Sequence, residues 1–359
     1  LADLFEEETS FSKEAWAARD GLSTLASRLL NEGGVDALLP FLRGKWKSFG
    51  VEVTNICNAN CSFCAYGKNV DKREKGPVSQ EVLKHSLDLF EKSGGGNFIF
   101  TATLGDPLTD KNLLEKVKLI KTYPSVKGVI IYSNLIGLDN FDIKDFVRSG
   151  ITSMSISATV GDRDMYKKLY GVNKYDKVIS SITNLLKVNE ELGNPIRIKL
   201  LVRIDHDFLP QLEATQEFKE IRKYLGWNQI RVLGSKEWDD YNKAIRKSDL
   251  PKGGRFIKNV KNKKDPCSAL YRKLQILKNG DISVCACRIS PELVIDNIFN
   301  YTSLYDHWRG EKRESFRNRW LAGSIPSICK GCTHYQPYTD IIKAAVVYDT
   351  YQRLKKRFS

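Results

Sequence analysis

The sequence has no long apolar run, and this absence narrows the class of protein. No stretch of the 359 residues approaches the length of a membrane-spanning helix, and the N-terminus lacks the basic and then apolar pattern of a secretory signal. The four histidines, His85, His206, His307 and His334, are scattered and form no metal or nucleophile motif. We therefore expect a cytoplasmic protein without a membrane partner.

The distribution of charge and the grouping of the cysteines argue against a nucleic-acid-binding protein and against a disulfide-stabilised protein. The net charge is +14, but basic residues are spread along the chain, with only short clusters at 261–264 and 353–357. A solvated basic surface explains this distribution better than a nucleic-acid partner, and a phosphorylated or nucleotide-linked substrate would also suit it. The eight cysteines fall in CxxxCxxC and CxxC groups, which favour metal binding in a reducing compartment over disulfides.

Strand-like and helix-like segments alternate through the middle of the chain, which predicts an α/β fold. Six βα units with short connections imply a parallel sheet with helices outside, and six are too few for a closed eightfold barrel. Helices are expected after caps at Ser79, Asp110 and Asp142, and over 176–192 and 211–225. The strands are expected at 49–53, 97–103, 128–133, 152–157, 197–202 and 229–233.

A second module, which carries five of the cysteines, follows this α/β core. Asn279-Gly280 lies between the strand-like runs 273–277 and 281–285, and this dipeptide is a strong hairpin signal. The predicted segments are a helical cap at 1–46, the core at 47–235, a charged linker at 236–264, the second module at 265–335 and a closing helix at 336–359.

The strongest functional signal is a group of three cysteines in the pattern C-x3-C-x2-C. Cys57, Cys61 and Cys64 follow the first predicted strand, at the edge of the sheet where active residues of parallel α/β proteins gather. Three thiolates on one loop can hold three corners of a [4Fe–4S] cube, and a missing fourth ligand leaves one iron open for chemistry. A zinc site is the alternative, but zinc usually takes four ligands in paired knuckles.

A cluster loop at the end of a first strand resembles the radical S-adenosylmethionine (SAM) superfamily. The resemblance implies a six-stranded parallel (β/α)6 partial barrel, a flavodoxin- or ferredoxin-type electron donor, and a 5′-deoxyadenosyl radical that takes a hydrogen atom from the substrate. In Leu104-Gly105-Asp106-Pro107, which resembles the SAM-binding GGEP motif, Leu and Asp depart from the pattern. The implied SAM contacts are Phe63 for the adenine, Gly105 and Asp106 for the amino group, Ser133 and Asn134 for the ribose, and Ser157 for the carboxylate.

The cysteines of the second module predict another metal site. Cys267, Cys285, Cys329 and Cys332 form C-x17-C…C-x2-C, which could ligate a second [4Fe–4S] cluster, with a four-cysteine zinc knuckle as the alternative. The pattern resembles the SPASM/twitch auxiliary-cluster domain, a β-hairpin-plus-helix module, in the single-cluster form of 2-deoxy-scyllo-inosamine dehydrogenase and neomycin epimerase. Cys287 is left over and should share a face with Cys285. It is a spare buried thiol, an alternative ligand of the second metal site or, as the resemblance to neomycin epimerase implies, a hydrogen-atom donor.

The resemblance implies an enzyme that uses two [4Fe–4S] clusters and SAM on a small-molecule substrate. The one-cluster spacing in the second module favours a carbohydrate or aminocyclitol, changed by dehydrogenation, epimerisation or dehydration. Two alternatives stay open at this point. One is a peptide-maturing radical SAM/SPASM enzyme, and the other is a nucleic-acid-binding protein with structural zinc.

Overall fold

The computed structural model describes residues 46, 48–234, 237–258, 260, 262–263 and 265–338. The predicted cap at 1–46 and closing helix at 336–359 therefore lie outside the described residues, except for 46 and 336–338. The strands are β1 (Ser48–Glu52), β2 (Gly96–Thr101), β3 (Val126–Ser133), β4 (Ser153–Ala158), β5 (Arg197–Val202), β6 (Ile230–Val232), β7 (Glu237–Trp238), β8 (Arg255–Phe256), β9 (Lys273–Ile276), β10 (Asp281–Ser283) and β11 (Val294–Asn297). The α-helices are α1 (Gln80–Lys92), α2 (Leu113–Lys121), α3 (Ile143–Arg148), α4 (Arg163–Tyr170), α5 (Tyr175–Glu191), α6 (Leu209–Leu212), α7 (Gln216–Arg222), α8 (Ala269–Arg272), α9 (Leu304–Arg309), α10 (Glu311–Leu321) and α11 (Ser327–Lys330).

The six predicted parallel strands are confirmed, in the order in which they occur along the chain. Strands β1 to β6 pair side by side, each parallel to the next, as a series of right-handed βα units requires. The predicted hairpin at Asn279-Gly280 is also present, between β9 and β10. Strand β9 pairs in parallel with β1, with Ser48 opposite Lys273. The described strands of both modules thus share one nine-stranded sheet, in the order β11-β10-β9-β1-β2-β3-β4-β5-β6.

Aromatic side chains fix the first two strands against the first helix. The rings of Phe49 and Phe90 stack with centroids 4.7 Å apart, and Phe98 meets Phe90 edge-on at 5.4 Å. All three rings are buried, and each contributes about 1.5–3 kcal/mol through loss of water contact. The cluster loop that follows β1 therefore starts from a rigid strand.

The capping residues in the sequence predicted the starts of some helices correctly and of others incorrectly. Ser79 caps α1 and Asp142 caps α3, as predicted, each accepting from a backbone N–H of the first turn. Asp110 does not cap α2, because the helix begins only after Asn112. The helix predicted over 211–225 is divided into α6 and α7, since Thr215 between them is extended.

A buried ion-pair network joins β1 to the segment that follows the cluster loop. Arg73 donates two hydrogen bonds to the fully buried carboxylate of Glu52, at 2.7 and 3.0 Å, and two to Asp71, at 2.8 and 2.9 Å. The Lys278 N–H of the β9–β10 turn also donates to Glu52, at 3.1 Å. One carboxylate thus connects the first module to the second.

We expect Arg73→Met to lower the free energy of unfolding by about 3–5 kcal/mol, because the Glu52 carboxylate is left buried without its cation. The double variant Glu52→Gln/Arg73→Met should recover part of the loss, since the Glu52 charge is then gone and only the buried Asp71 carboxylate still lacks its cation. Denaturant unfolding measures both. Arg163→Met, which breaks an exposed pair with Asp176, is the matched control and should change stability little. Equal losses at Arg73 and Arg163 would contradict the network.

Candidate metal centres

The cysteines of the first motif come together on the loop after β1. The Cys64 N–H donates to the Cys61 carbonyl at 3.1 Å, which closes a tight turn, and the charges of Cys57 and Cys64 act on Cys61. Burial raises the pKa of all three thiols, to about 12 for Cys57. Because a bound cation stabilises buried thiolates, this donor set fits a [4Fe–4S] cluster that takes one thiolate on each of three irons.

Helix α4 holds the middle of this loop in place. The Asn60 N–H donates to the Tyr170 carbonyl at 3.0 Å, and the Ser62 N–H donates to the Leu169 carbonyl at 2.9 Å. The last carbonyls of the helix thereby find donors on both sides of Cys61. Gly171 ends the helix at φ +67°, and a Cβ there would lie 2.3 Å from the Asn60 carbonyl oxygen. Only glycine allows this close approach.

The predicted SAM contacts at the ends of β2 and β3 bind one another in this structure. The Asp106 carboxylate accepts hydrogen bonds from the Ser133 hydroxyl at 2.9 Å and from the Asn134 N–H at 2.7 Å. Burial raises the pKa of Asp106 to about 6. Gly105 packs so closely that a Cβ would lie 2.7 Å from the Ile56 carbonyl oxygen of the cluster loop. These residues brace the loop here, and their contact with SAM stays a prediction.

Asn134 connects that brace to the thiols themselves. Its Nδ2 donates to Asn58 Oδ1 at 2.9 Å and lies 3.8 Å from Cys57 Sγ. Its Oδ1 in turn accepts from the Ile136 N–H at 2.9 Å. The amide is therefore fixed in orientation beside the first cysteine of the motif.

A cation stands at the end of β5, where the other two predicted SAM contacts converge. Arg203 Nε donates to the Ser157 hydroxyl at 2.8 Å, and the guanidinium lies 4.9 Å from the centre of the Phe63 ring and 5.3 Å from that of Trp238. Its charge acts on the thiols of the motif. Neither Arg203 nor Trp238 was predicted as a functional residue. The sequence could have indicated Arg203, because it directly follows the predicted strand 197–202, and active residues gather at the ends of such strands.

The cysteines of the second module also gather in one place. Burial raises the pKa of Cys329 to about 12, and the charges of Cys267 and Cys332 raise it further. Cys267 also acts on Cys285. No three His, Cys, Asp or Glu side chains in the described part of the chain are grouped to share a single metal ion. A [4Fe–4S] cluster binds each thiolate to a different iron, and four half-buried thiols suit it by the same argument as at the first loop.

Cys287 belongs to the same group of thiols. Its N–H donates to Cys285 Sγ at 3.3 Å, and the interaction between the two side chains raises the pKa of Cys285 and lowers that of Cys287. Lys273 Nζ, 3.6 Å from Cys287 Sγ, favours the thiolate further. The two cysteines lie beyond the end of β10, so they do not share a strand face as predicted, although their side chains interact.

The segment predicted as a linker, 236–264, packs between the two centres. Trp238 in β7 lies 5.1 Å from the Phe63 ring beside Cys64, and β7 pairs with β8. The next residue, Asp239, accepts hydrogen bonds from the buried Arg288 and from Thr333 of the second module. Trp238 thus contacts the first cysteine loop, and the next residue, Asp239, contacts the second module.

A parallel partial barrel with three thiols on the loop after its first strand is the arrangement of the radical SAM superfamily. Residues 51–194 match that superfamily, and residues 267–333 match the SPASM iron–sulfur cluster-binding domain. The two matches together span more than half of the chain, which belongs to the radical SAM superfamily and carries a SPASM domain. The matches confirm the expected cofactors, SAM and an auxiliary cluster.

Curated relatives are distant. A probable GTP 3′,8-cyclase of Thermoplasma volcanium is 24% identical over 323 residues, 77% of this chain and 94% of that protein. A GTP 3′,8-cyclase of Haemophilus influenzae is 23% identical over 197 residues, 54% of this chain and 53% of its own length. The match thus spans about half the length of the bacterial relative, and these likenesses support a radical SAM enzyme without fixing its reaction.

Solved structures share the fold. BtrN in complex with AdoMet and 2-DOIA is 18% identical with a TM-score of 0.50, over 80% of this chain and 93% of that one. Native anSMEcpe with bound AdoMet is 12% identical with a TM-score of 0.52, over 86% and 98%. No helix in the described residues is long and apolar enough to cross a membrane.

Proposed function

We propose that this radical SAM enzyme removes a hydrogen atom from a carbohydrate or aminocyclitol-type small molecule. The observation that carries the proposal is the cluster loop after β1, with three half-buried thiols beside one half-buried arginine. When bound, the first cluster and SAM supply the one-electron chemistry that makes a hydrogen-abstracting radical. The chain's own task is to hold both cofactor and substrate in place and to exclude water.

Each residue of the first centre has a part in this proposal. Cys57, Cys61 and Cys64 hold the cluster, and Arg203 pairs with the carboxylate of SAM, as a guanidinium fork suits. Phe63, a residue of the cluster loop whose ring lies 4.9 Å from that guanidinium, offers its ring to the adenine. Gly105, Asp106, Ser133, Asn134 and Ser157 stay assigned to the remaining contacts with SAM.

The second centre decides what becomes of the substrate radical. Cys267, Cys285, Cys329 and Cys332 hold the auxiliary cluster in this proposal. A cluster held there would supply an electron acceptor, which would suit dehydrogenation. Return of a hydrogen atom from a nearby thiol would suit epimerisation, and loss of water from a diol would suit dehydration. A sugar substrate is supported by the curated relatives, whose name places their reaction at the 3′ position of GTP, a ribose carbon. A phosphorylated or nucleotide-linked sugar also suits the net charge of +14.

A flavodoxin- or ferredoxin-type protein completes the proposed set of partners, because the first cluster needs one electron for each cleavage of SAM. We place the enzyme in the cytoplasm, where thiols stay reduced and clusters persist.

The experiment is anaerobic incubation of the reconstituted chain with SAM and dithionite. Candidate sugars, aminocyclitols and nucleotides carrying deuterium at ring carbons form one panel, and precursor-type peptides deuterated on their side chains form another. We expect 5′-deoxyadenosine to form with both panels. We expect it to contain deuterium only with the first panel. Transfer from peptides alone would overturn the substrate class. If SAM stays intact in every mixture, the assignment of radical SAM activity to this chain is overturned.

Cys287 gives a prediction within this function. If its thiol gives a hydrogen atom to the substrate radical, and an electron from the proposed donor protein together with a proton restores the thiol, Cys287→Ala will stop product formation. SAM will still be cleaved to 5′-deoxyadenosine carrying a hydrogen atom from the substrate. Cys329→Ala is the control, because it removes a predicted ligand and should lower the iron content, whereas Cys287→Ala should not. Quantifying both products by mass spectrometry measures the effect. Unchanged product formation in Cys287→Ala would exclude the thiol as the donor.

A further inference from the structure

Tyr166 of α4 has a buried hydroxyl that binds nothing in the described part of the chain. The residue is 0% exposed, and no described group accepts from or donates to its hydroxyl. A buried hydroxyl left without a partner costs about 1–3 kcal/mol, and native proteins rarely leave one unexplained. The neighbouring tyrosines differ, since Tyr170 shares a hydrogen bond with Ser157 at 2.9 Å and Tyr175 donates to Glu217 at 2.9 Å.

The position of Tyr166 links this hydroxyl to the first metal centre. Its ring stacks on Tyr170, one helical turn later, with centroids 4.6 Å apart and planes 6° apart. The Tyr170 carbonyl receives the N–H of Asn60, the residue just before Cys61. Burial raises the pKa of Tyr166, and the charges of Cys61 and Asp106 raise it further. These two residues lie on the loops after β1 and β2, and Tyr166 is near enough to both loops for their charges to act on its hydroxyl.

We propose that the Tyr166 hydroxyl donates a hydrogen bond to a sulfur of the cluster held at Cys57, Cys61 and Cys64. The inference rests on the proposed function, because it takes the cluster as the missing acceptor. Hydrogen bonds to cluster sulfurs stabilise the reduced, more negative state and raise the reduction potential. Tyr166 is thus a positioning residue that makes the cluster easier to reduce.

The test is Tyr166→Phe in the anaerobically purified holoenzyme. We expect full iron content and an unchanged dissociation constant for SAM, but a more negative midpoint potential of the first cluster. The electron paramagnetic resonance signal that shifts on addition of SAM identifies that cluster. We also expect one exchangeable proton coupling, present in the reduced wild type and exchanged in D₂O, to be lost from the variant.

Tyr175→Phe is the matched control, because its ring contacts Tyr166 edge-on at 5.8 Å but its hydroxyl has protein partners. This control should lower the melting temperature and leave the potential unchanged. If an iron-loaded Tyr166→Phe variant keeps the wild-type potential and proton coupling, the inference about Tyr166 is overturned, while the proposed function still stands. Should that variant fail to load, absence of the exchangeable coupling in the reduced wild type overturns it. A wild type that binds no cluster there overturns both the inference and the proposed function.

Discussion

Replacing Cys61 with alanine will abolish reductive cleavage of SAM and halve the iron content. The protein with both centres filled should carry about eight irons, and loss of the first cluster leaves about four. The middle cysteine is the most informative choice, because α4 fixes the backbone on both sides of it. The loop should therefore keep its shape while it loses one thiolate. Iron analysis and 5′-deoxyadenosine formation with dithionite measure the two effects.

The control is the same substitution in the second centre. Cys332→Ala should also leave about four irons per chain, but it should still cleave SAM, because the first loop is untouched. This pair of variants separates loss of iron from loss of the reacting centre. Equal residual cleavage of SAM in the two variants would contradict the assignment of the first loop.

Much of the fold could be predicted because its signals are local. The strands β1 to β6 appear as apolar runs, and each is followed by polar residues where it ends. Ser79 and Asp142 lie at helix starts, where their side chains accept orphan N–H groups. Asn279-Gly280 supplies the positive φ that a tight hairpin needs, and Gly280 has φ +86°. Such preferences depend on neighbours in sequence, and a single chain displays them.

The contacts that complete the site are between residues far apart in sequence. Arg203 is adjacent to Phe63 only because five strands pair in order, and β9 joins β1 across more than 200 residues. Helix α4 was not predicted, although Asp162 caps its start and Gly171 ends it. Its role as the support of the cluster loop follows from two backbone hydrogen bonds. Backbone carbonyls carry no residue-specific signal, so no sequence pattern could have indicated them.

Arg203→Met will weaken the binding of SAM by about 10- to 100-fold, while the iron content stays at the wild-type level. A hydrogen bond to a charged partner contributes about 1.5–3 kcal/mol, and each 1.4 kcal/mol is tenfold in the dissociation constant. Methionine keeps much of the apolar stem against Phe63 and Trp238, so the change removes mainly the charge. Equilibrium binding of SAM to the oxidised holoenzyme measures the effect without a substrate.

Arg222→Met provides the matched control, because Arg222 also lies over an indole, 4.6 Å from the centre of the Trp227 ring. That pair belongs to a surface groove formed by α7 and the turn after it, so the dissociation constant for SAM should not change. Arg203→Lys should restore part of the affinity, because a point charge remains although the fork is lost. If Arg203→Met and Arg222→Met bind SAM equally well, the carboxylate of SAM pairs with another group. The cluster loop would then hold SAM without the cation at the end of β5.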